Sequence, residues 1–218
     1  KNGTNRSRQT HIQGGKGSCV TMLEHSHTAA SGSDNASIHV FRVEYAVSKK
    51  DLITYSNFAT VRQIDEAEGA IRAIDHYNTN SQSIIVYATS KGNIRGWDLR
   101  SSAEAWCLAN QTKHGVVQCM TLDPNSNWLL VGTNRGCYTC WDLRFNLPLR
   151  TWFHPTETSY GIQRLANYNS GSGTEPWVWA TSGSNCVYLW DLETGLCRKV
   201  IRVLSASHRR PIPQLKPL

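Results

Sequence analysis

With 218 residues, the chain can form one large or two small domains, and its formal charge of +7 first suggests a nucleic-acid partner. Nine of the 23 lysines and arginines, however, lie in residues 1–16 and 199–218, whereas all 16 acidic residues lie between these two ends. The body of the chain is therefore slightly acidic, and we do not expect the basic folded face that nucleic acid requires. The sequence has no signal peptide and no long apolar run, so we expect no segment of it to cross a membrane.

The body consists of similar units, each of which reads as two strands joined by a tight turn and closed by a fixed residue pair. Successive aromatic anchors of these pairs are 56, 44 and 49 residues apart. A unit that repeats at this spacing and closes on Trp-Asp is typical of the blades of a WD-repeat β-propeller. We therefore predict an all-β fold with about four blades. The closing pairs are Phe41-Arg42 in a diverged first unit, then Trp97-Asp98, Trp141-Asp142 and Trp190-Asp191.

Propellers close with roughly four to eight blades, so four blades would already complete a small ring. Because the sequence opens on Lys1 and neither end holds a strand that clearly closes a ring, we instead expect the four blades to be a piece of a larger propeller. The predicted division is a loop or disordered segment at 1–18, a partial blade at 19–44, a linker with an outer strand at 45–68, blades at 69–109, 114–153 and 160–202, and a basic, proline-containing tail or inter-blade loop at 203–218.

The tryptophan anchors are expected to bury their rings between neighbouring sheets, where the indole N–H requires a hydrogen-bond partner. For Trp141 we predict that this partner is Thr133, backed by His114 near the start of the same unit. A structural role for this histidine is favoured over a catalytic one. The corresponding candidates in the other units are Thr89 or Ser90 for Trp97, and Thr181 or Ser182 for Trp190.

Arginine and tryptophan side chains on or beside the outer strands are the candidates for a protein-interaction surface, because both residue types are enriched in interaction hot spots. The alternative is ordinary blade packing for the tryptophans and solvated charge for the arginines. The candidates are Arg100, Arg144, Arg150, Trp106 and Trp152.

Residues that could bind a metal or perform catalysis do not form a recognisable motif. Cys137 and Cys140 have the spacing of half a zinc or redox site, but no second ligand pair follows, and residues three apart on a strand point to opposite faces. His25 and His27 also lack further ligands. We therefore expect reduced thiols, no metal, no cofactor and no catalytic residue in this sequence.

Three runs are more specific than a general repeat signature: GWDLRSS at 96–102, CWDLRFNLP at 140–148 and WDLETG at 190–195. Together with His154-Pro155 and the upstream SGSDNASIHVFRVE, they resemble the C-terminal WD-repeat region of the large regulatory subunit of class III phosphatidylinositol 3-kinase, a protein kinase-like subunit of vacuolar protein sorting. The resemblance covers about residues 19–215. In that family a serine/threonine protein kinase-like domain and helical repeats precede a seven-bladed propeller, and neither is found in this sequence.

The resemblance implies a non-catalytic scaffold that acts in endosomal sorting and autophagy. Its expected partners are the lipid-kinase catalytic subunit and beclin-type coiled-coil subunits. Its expected location is the cytoplasm, peripheral to endosomal and autophagic membranes and bound to them only through the complex. An unrelated WD-repeat adaptor, such as a ubiquitin-ligase substrate receptor, remains the alternative, and an enzymatic propeller is a third, less favoured hypothesis.

Overall fold

The computed structural model describes residues 15–46, 52–154, 160–168 and 175–202. The predictions for residues 1–14 and 203–218, and for Pro155, concern residues outside these ranges. Within the described ranges, the regular structure consists of sixteen β-strands and two short 3₁₀ turns, Glu66–Glu68 and Thr112–His114. No helix in this part of the chain is long and apolar enough to span a membrane.

The strands form four antiparallel sheets, each a meander of four consecutive strands. The innermost strands of successive sheets are in contact with one another, so the sheets are arranged as the blades of a propeller. This confirms the predicted all-β propeller fold, while the number of blades in the complete ring stays a prediction. Blade 1 contains β1 (Gly17–Met22), β2 (Thr28–Ser33), β3 (Ser37–Ala46) and β4 (Leu52–Gln63); blade 2 contains β5 (Ile71–Asn78), β6 (Ser83–Thr89), β7 (Asn93–Asp98) and β8 (Ala103–Ala109); blade 3 contains β9 (Val117–Leu122), β10 (Trp128–Thr133), β11 (Cys137–Asp142) and β12 (Leu147–Phe153); blade 4 contains β13 (Ile162–Asn167), β14 (Trp177–Ser182), β15 (Cys186–Asp191) and β16 (Cys197–Arg202).

The apolar core lies between neighbouring blades. Alternate side chains of a strand point to opposite faces of its sheet, so each blade contributes to two interfaces. In β10, for example, Leu129 and Val131 pack with blade 2, whereas Leu130 packs with blade 4. The second strands have uninterrupted apolar runs, such as Leu129 to Val131, instead of alternating apolar and polar residues. Such runs are typical of strands in a sheet whose two faces are both covered.

In blade 1 the last two strands form a longer hairpin than the sequence predicts. β3 continues to Ala46 and β4 begins at Leu52, whereas the expected outer strand lay near residues 58–63. The sequence of β4 is rich in β-branched and aromatic residues, which favour a strand over a linker. Strands β3 and β4 therefore complete blade 1, and the unit expected to be partial has four strands.

In blades 1, 2 and 3, the turn between the second and third strands contains a residue with a left-handed backbone. Gly92 and Gly136 occupy this turn in blades 2 and 3, with φ angles of 93° and 72°. Ala36 occupies the same place in blade 1 with a φ angle of 61°, a conformation that costs more for a residue with a Cβ atom.

Candidate interaction surfaces

The aspartate of each Trp-Asp pair is buried and ends the third strand of its blade. The carboxylate of Asp142 accepts a hydrogen bond from the backbone N–H of Arg144 at 2.9 Å. It also binds the guanidinium of Arg144, with Nη2 2.5 Å from Oδ2. These hydrogen bonds from Arg144 lower the pKa of Asp142. Burial alone would raise the pKa of Asp98 and Asp191, but hydrogen bonds outweigh it and lower both pKa values. The aspartates thus act as ionised acceptors for the turns that follow them.

The three tryptophan anchors each pack against the preceding blade, in the core clusters between blades 1 and 2, 2 and 3, and 3 and 4. The predicted hydrogen bond between Thr133 and Trp141 is not formed. Thr133 Oγ1 instead donates to the backbone oxygen of His114 at 2.6 Å and accepts the N–H of Cys137 at 3.2 Å.

The physical reason is the strand register. Leu129 lies opposite Trp141, and Thr133 is four residues further along β10, about 13 Å away at the usual rise of a strand. Thr89 likewise does not bind Trp97, and among the described residues the indole N–H groups of all three tryptophan anchors, including Trp190, have no hydrogen-bond partner. The rings therefore stabilise the blades by packing.

His114 lies in the 3₁₀ turn before β9 and is buried. Its ring meets that of Phe153 edge to face, with the ring centroids 6.1 Å apart. Burial lowers the pKa of His114 below its ordinary value. The ring therefore packs as a neutral side chain between the start and the end of blade 3.

The three candidate arginines differ in what they contact. Arg150 crosses from β12 to blade 4, where its guanidinium donates to the backbone oxygens of Thr194 at 2.9 Å and Glu193 at 3.0 Å. Arg144 is held by Asp142, although its side chain remains 56% exposed. Arg100 donates to the backbone oxygen of Asn80 at 3.3 Å and is exposed. Their role in binding a partner stays a prediction.

Trp106 and Trp152, the two candidate tryptophans, lie half-buried between blades. The indole N–H of Trp106 donates to Tyr77 Oη at 3.0 Å. Trp152 stacks on Tyr138 with ring centroids 5.4 Å apart, and its centroid is 5.9 Å from that of Trp190. These contacts use much of both rings for blade packing, which leaves only their remaining surface for a partner.

All four innermost strands face a common polar opening of about 480 Å³. Each of these strands contains a β-bulge, at which one residue has no pairing partner on the adjacent second strand of the blade. The residues at these four bulges line the opening, where they place a polar side chain from every blade. They are Ser18, Arg72, Gln118 and Gln163.

The two closely spaced thiols, Cys137 and Cys140, are both free and buried. Cys140 packs in the core shared with blade 4, where burial raises its pKa to about 12. Within residues 15–46, 52–154, 160–168 and 175–202, no group of three or more His, Cys, Asp or Glu side chains is placed to hold a metal ion.

Comparison with known proteins identifies the family. No family model matches the chain. Over its whole length, however, the chain is 42% identical to the probable serine/threonine-protein kinase vps15 of Dictyostelium discoideum, of which it covers 11%. It is 30% identical to the serine/threonine-protein kinase VPS15 of Arabidopsis thaliana, over 97% of this chain and 15% of that protein. The chain belongs to the VPS15 family.

A third VPS15 relative, from Saccharomyces cerevisiae, is 25% identical over 82% of this chain and 12% of its own length. The chain thus spans less than a sixth of the length of these VPS15 proteins. The family named from the runs around Trp97, Trp141 and Trp190 is confirmed, and so is the propeller form of this VPS15 segment.

Two features of this VPS15 segment are not among those predicted from its sequence. The first is Arg62, whose guanidinium lies 4.1 Å from the ring centroid of Trp97 and donates from Nε to Tyr87 Oη at 3.0 Å. Nothing in the sequence signals this cross-blade contact, because it depends on the register of β4. The second feature is a set of exposed apolar side chains on and beside β12, which the clustering of large apolar residues in 145–153 could have revealed. We call it the β12 strip, and it consists of Phe145, Leu147, Leu149 and Phe153.

Proposed function

We propose that this chain is a non-catalytic protein-interaction scaffold within a regulatory subunit of a class III phosphatidylinositol 3-kinase complex. The observation that carries the proposal is identity to VPS15 relatives along the whole chain, in a segment that folds as propeller blades. Propeller blades hold a rigid arrangement of turns and outer strands, and such surfaces can dock partners without chemistry of their own.

The proposed partners are the lipid-kinase catalytic subunit and beclin-type coiled-coil subunits. The proposed setting is endosomal sorting and autophagy, on the cytoplasmic surface of membranes that the chain reaches only through the complex. Exposed arginines on several blades, such as Arg100 and Arg144, support a role in docking because arginine is enriched at protein interfaces. The kinase activity in the names of the relatives belongs to the whole proteins, and we assign no catalytic residue to this segment.

The test compares the composition of complexes purified through the full-length parent protein. One version carries its natural WD-repeat region, and a matched version carries an unrelated propeller of similar size in its place. We expect the replacement to reduce recovery of the lipid-kinase and beclin-type subunits, while the rest of the parent protein remains folded. Equal recovery would contradict the proposal, and recovery of ubiquitin-ligase components through the natural region instead would favour the adaptor alternative.

A further inference from the structure

Among the described outer strands, that of blade 3 has the largest set of exposed apolar side chains. The outer strand of blade 2 has no exposed large apolar side chain, and blade 4 has Leu196, Val200 and Ile201 on or beside β16. The four side chains of the β12 strip are between 49% and 69% exposed. Three of them lie on β12, where the bulge at Leu149 places Leu147 and Phe153 towards opposite faces of this outer strand. The strip extends for about 20 Å from Leu147 to Phe153 at the usual rise of a strand. An apolar surface of this kind marks a place where another molecule covers the protein.

The same bulge position in three outer strands shows the difference directly. In blades 2, 3 and 4, the outer strand has a bulge at which one residue has no pairing partner on the third strand. In β12 this residue is Leu149. In β8 the corresponding residue is Ala105, and in β16 it is Arg198, which binds Asp191. Blade 3 therefore places a large apolar side chain where its neighbours have a small or a charged one.

The backbone of β12 is poorly suited to pairing with a further strand at this point. Pro148 has no N–H to donate, and the bulge at Leu149 interrupts the regular edge. Both features protect an edge strand from adding a partner strand. Recognition at the strip therefore depends on its side chains, and the partner supplies complementary apolar side chains.

Charge around the strip is positive at the end nearest Phe153. Residues 143–154 contain no acidic residue. Phe153 packs on His114, beside Lys113, and the guanidinium of Arg135 donates to the backbone oxygen of Lys113 at 3.2 Å. In the described part of the chain, neither Lys113 nor Arg135 has an ion pair, and the Arg150 guanidinium of β12 is held by carbonyl oxygens that carry no full charge.

We infer that the β12 strip is a docking site for an acidic segment of a partner protein that carries large apolar side chains. Apolar groups of this segment cover Leu147, Leu149 and Phe153, and its carboxylates lie towards the cations at the Phe153 end. This inference rests on the proposed scaffold function and specifies the chemistry of one partner. The positive charge speeds association and selects against basic segments, whereas the apolar contact supplies most of the affinity.

The experiment places a photo-crosslinking amino acid at position 149 of the full-length parent protein, expressed in its own cells. The crosslinked peptide is sequenced by mass spectrometry. The matched control carries the crosslinker at position 200 of β16, because Val200 is also an exposed apolar residue on an outer strand. We expect position 149, and not position 200, to capture one predominant segment with more Asp and Glu than Lys and Arg and at least two large apolar residues.

A second variant tests the contact itself. Leu147→Ser combined with Phe153→Ser should reduce the crosslink yield about tenfold, and high salt should reduce it as well. Thermal unfolding of this variant checks that the blades are intact, which we expect because both side chains are exposed. Equal yields at positions 149 and 200, capture of a basic or polar segment, capture of the parent chain itself, or an undiminished yield in the folded double variant would each overturn the inference.

The two proposals fail separately. If recovery of the complex subunits does not depend on the natural WD-repeat region, the scaffold function is wrong, whatever is captured at position 149. If subunit recovery does depend on that region but position 149 captures no acidic, apolar segment, only the assignment of the β12 strip is wrong.

Discussion

Blades 1 and 3 keep the same register at their closing pairs but end their third strands differently. Phe41-Arg42 and Trp141-Asp142 lie opposite the same two positions of their second strands. In blade 3 the strand stops at Asp142, whose carboxylate accepts the N–H of Arg144. In blade 1 an arginine stands in that place, and β3 runs on to Ala46. The aspartate therefore determines where the strand ends, while the aromatic anchor determines how the blade packs.

The largest effect should come from the aromatic anchor of blade 3. Trp141 is buried between blades 2 and 3, so Trp141→Ala should lower the free energy of unfolding by about 3–5 kcal/mol. The matched change in blade 1, Phe41→Ala, removes a half-buried ring and should cost less. Denaturant unfolding of both variants measures the difference. Equal losses would mean that the two anchors are equally buried, and the contrast between the blades would be lost.

Among the substitutions, replacement of the closing aspartate of blade 3, Asp142, should have the second-largest effect on stability. Asp142→Ala removes a buried acceptor and leaves the turn N–H of Arg144 without its carboxylate, which should lower the free energy of unfolding by about 2 kcal/mol. Arg42→Ala changes the corresponding exposed position of blade 1 and should have a smaller effect. Both are measured by chemical denaturation. If the two variants were equally stable, the aspartate would not be what closes the turn.

The boundary of blade 1 with blade 2 should respond to pH through a buried histidine. His76 accepts the N–H of Glu24 through Nδ1 at 2.9 Å, and the corresponding position in blade 4 is Asn167, which does not titrate. Burial lowers the pKa of His76 to about 4, although the charge of Glu24 acts in the opposite direction.

Because His76 in the unfolded chain has a pKa of about 6.5, the unfolded state takes up a proton first as the pH falls. The free energy of unfolding should therefore decrease by about 3 kcal/mol between about pH 6.5 and 4. His76→Gln should flatten this part of the profile, as measured by denaturant unfolding at a series of pH values. An unchanged slope in the variant would show that another group causes the loss.

The smallest effects should come from the turn between the second and third strands, where blade 1 has Ala36 and blade 3 has Gly136 in the left-handed conformation. Gly136→Ala should cost about 1 kcal/mol, because alanine is disfavoured at positive φ. Ala36→Gly should be nearly neutral, since relief of the same cost is offset by the loss of a buried methyl group. Thermal melts of both variants give the comparison. A clear gain in stability for Ala36→Gly would show that its methyl group contributes little packing.

The blades themselves could be predicted because the signals for them are local. The Trp-Asp pairs indicate where the third strands of blades 2, 3 and 4 end, and in the structure these strands end at Asp98, Asp142 and Asp191. The β3–β4 hairpin is longer than the sequence predicts, and position 42, where the other blades have Asp, is Arg. The absence of Asp at this position removes the acceptor that ends the strand.

The contacts of individual side chains, within a blade and between blades, could not be predicted from the sequence. Pairing Thr133 with Trp141 required the register of β10 and β11, and four residues along a strand separate the two positions. Arg62 reaches Trp97 only because β4 brings it beside the next blade. The spacing of the anchors in the sequence predicts where strands lie along the chain. Side-chain partners depend instead on strand register and on how neighbouring sheets pack.

The bulges of the innermost strands separate the chemistry of the central opening from the stability of the blades. A residue left out of the ladder can change its side chain without altering the pairing of its neighbours. Arg72, Gln118 and Gln163 occupy such positions on three successive blades. Mutation can therefore give the opening a new charge pattern one blade at a time, and a propeller that already folds can acquire a new ligand preference at little cost in stability.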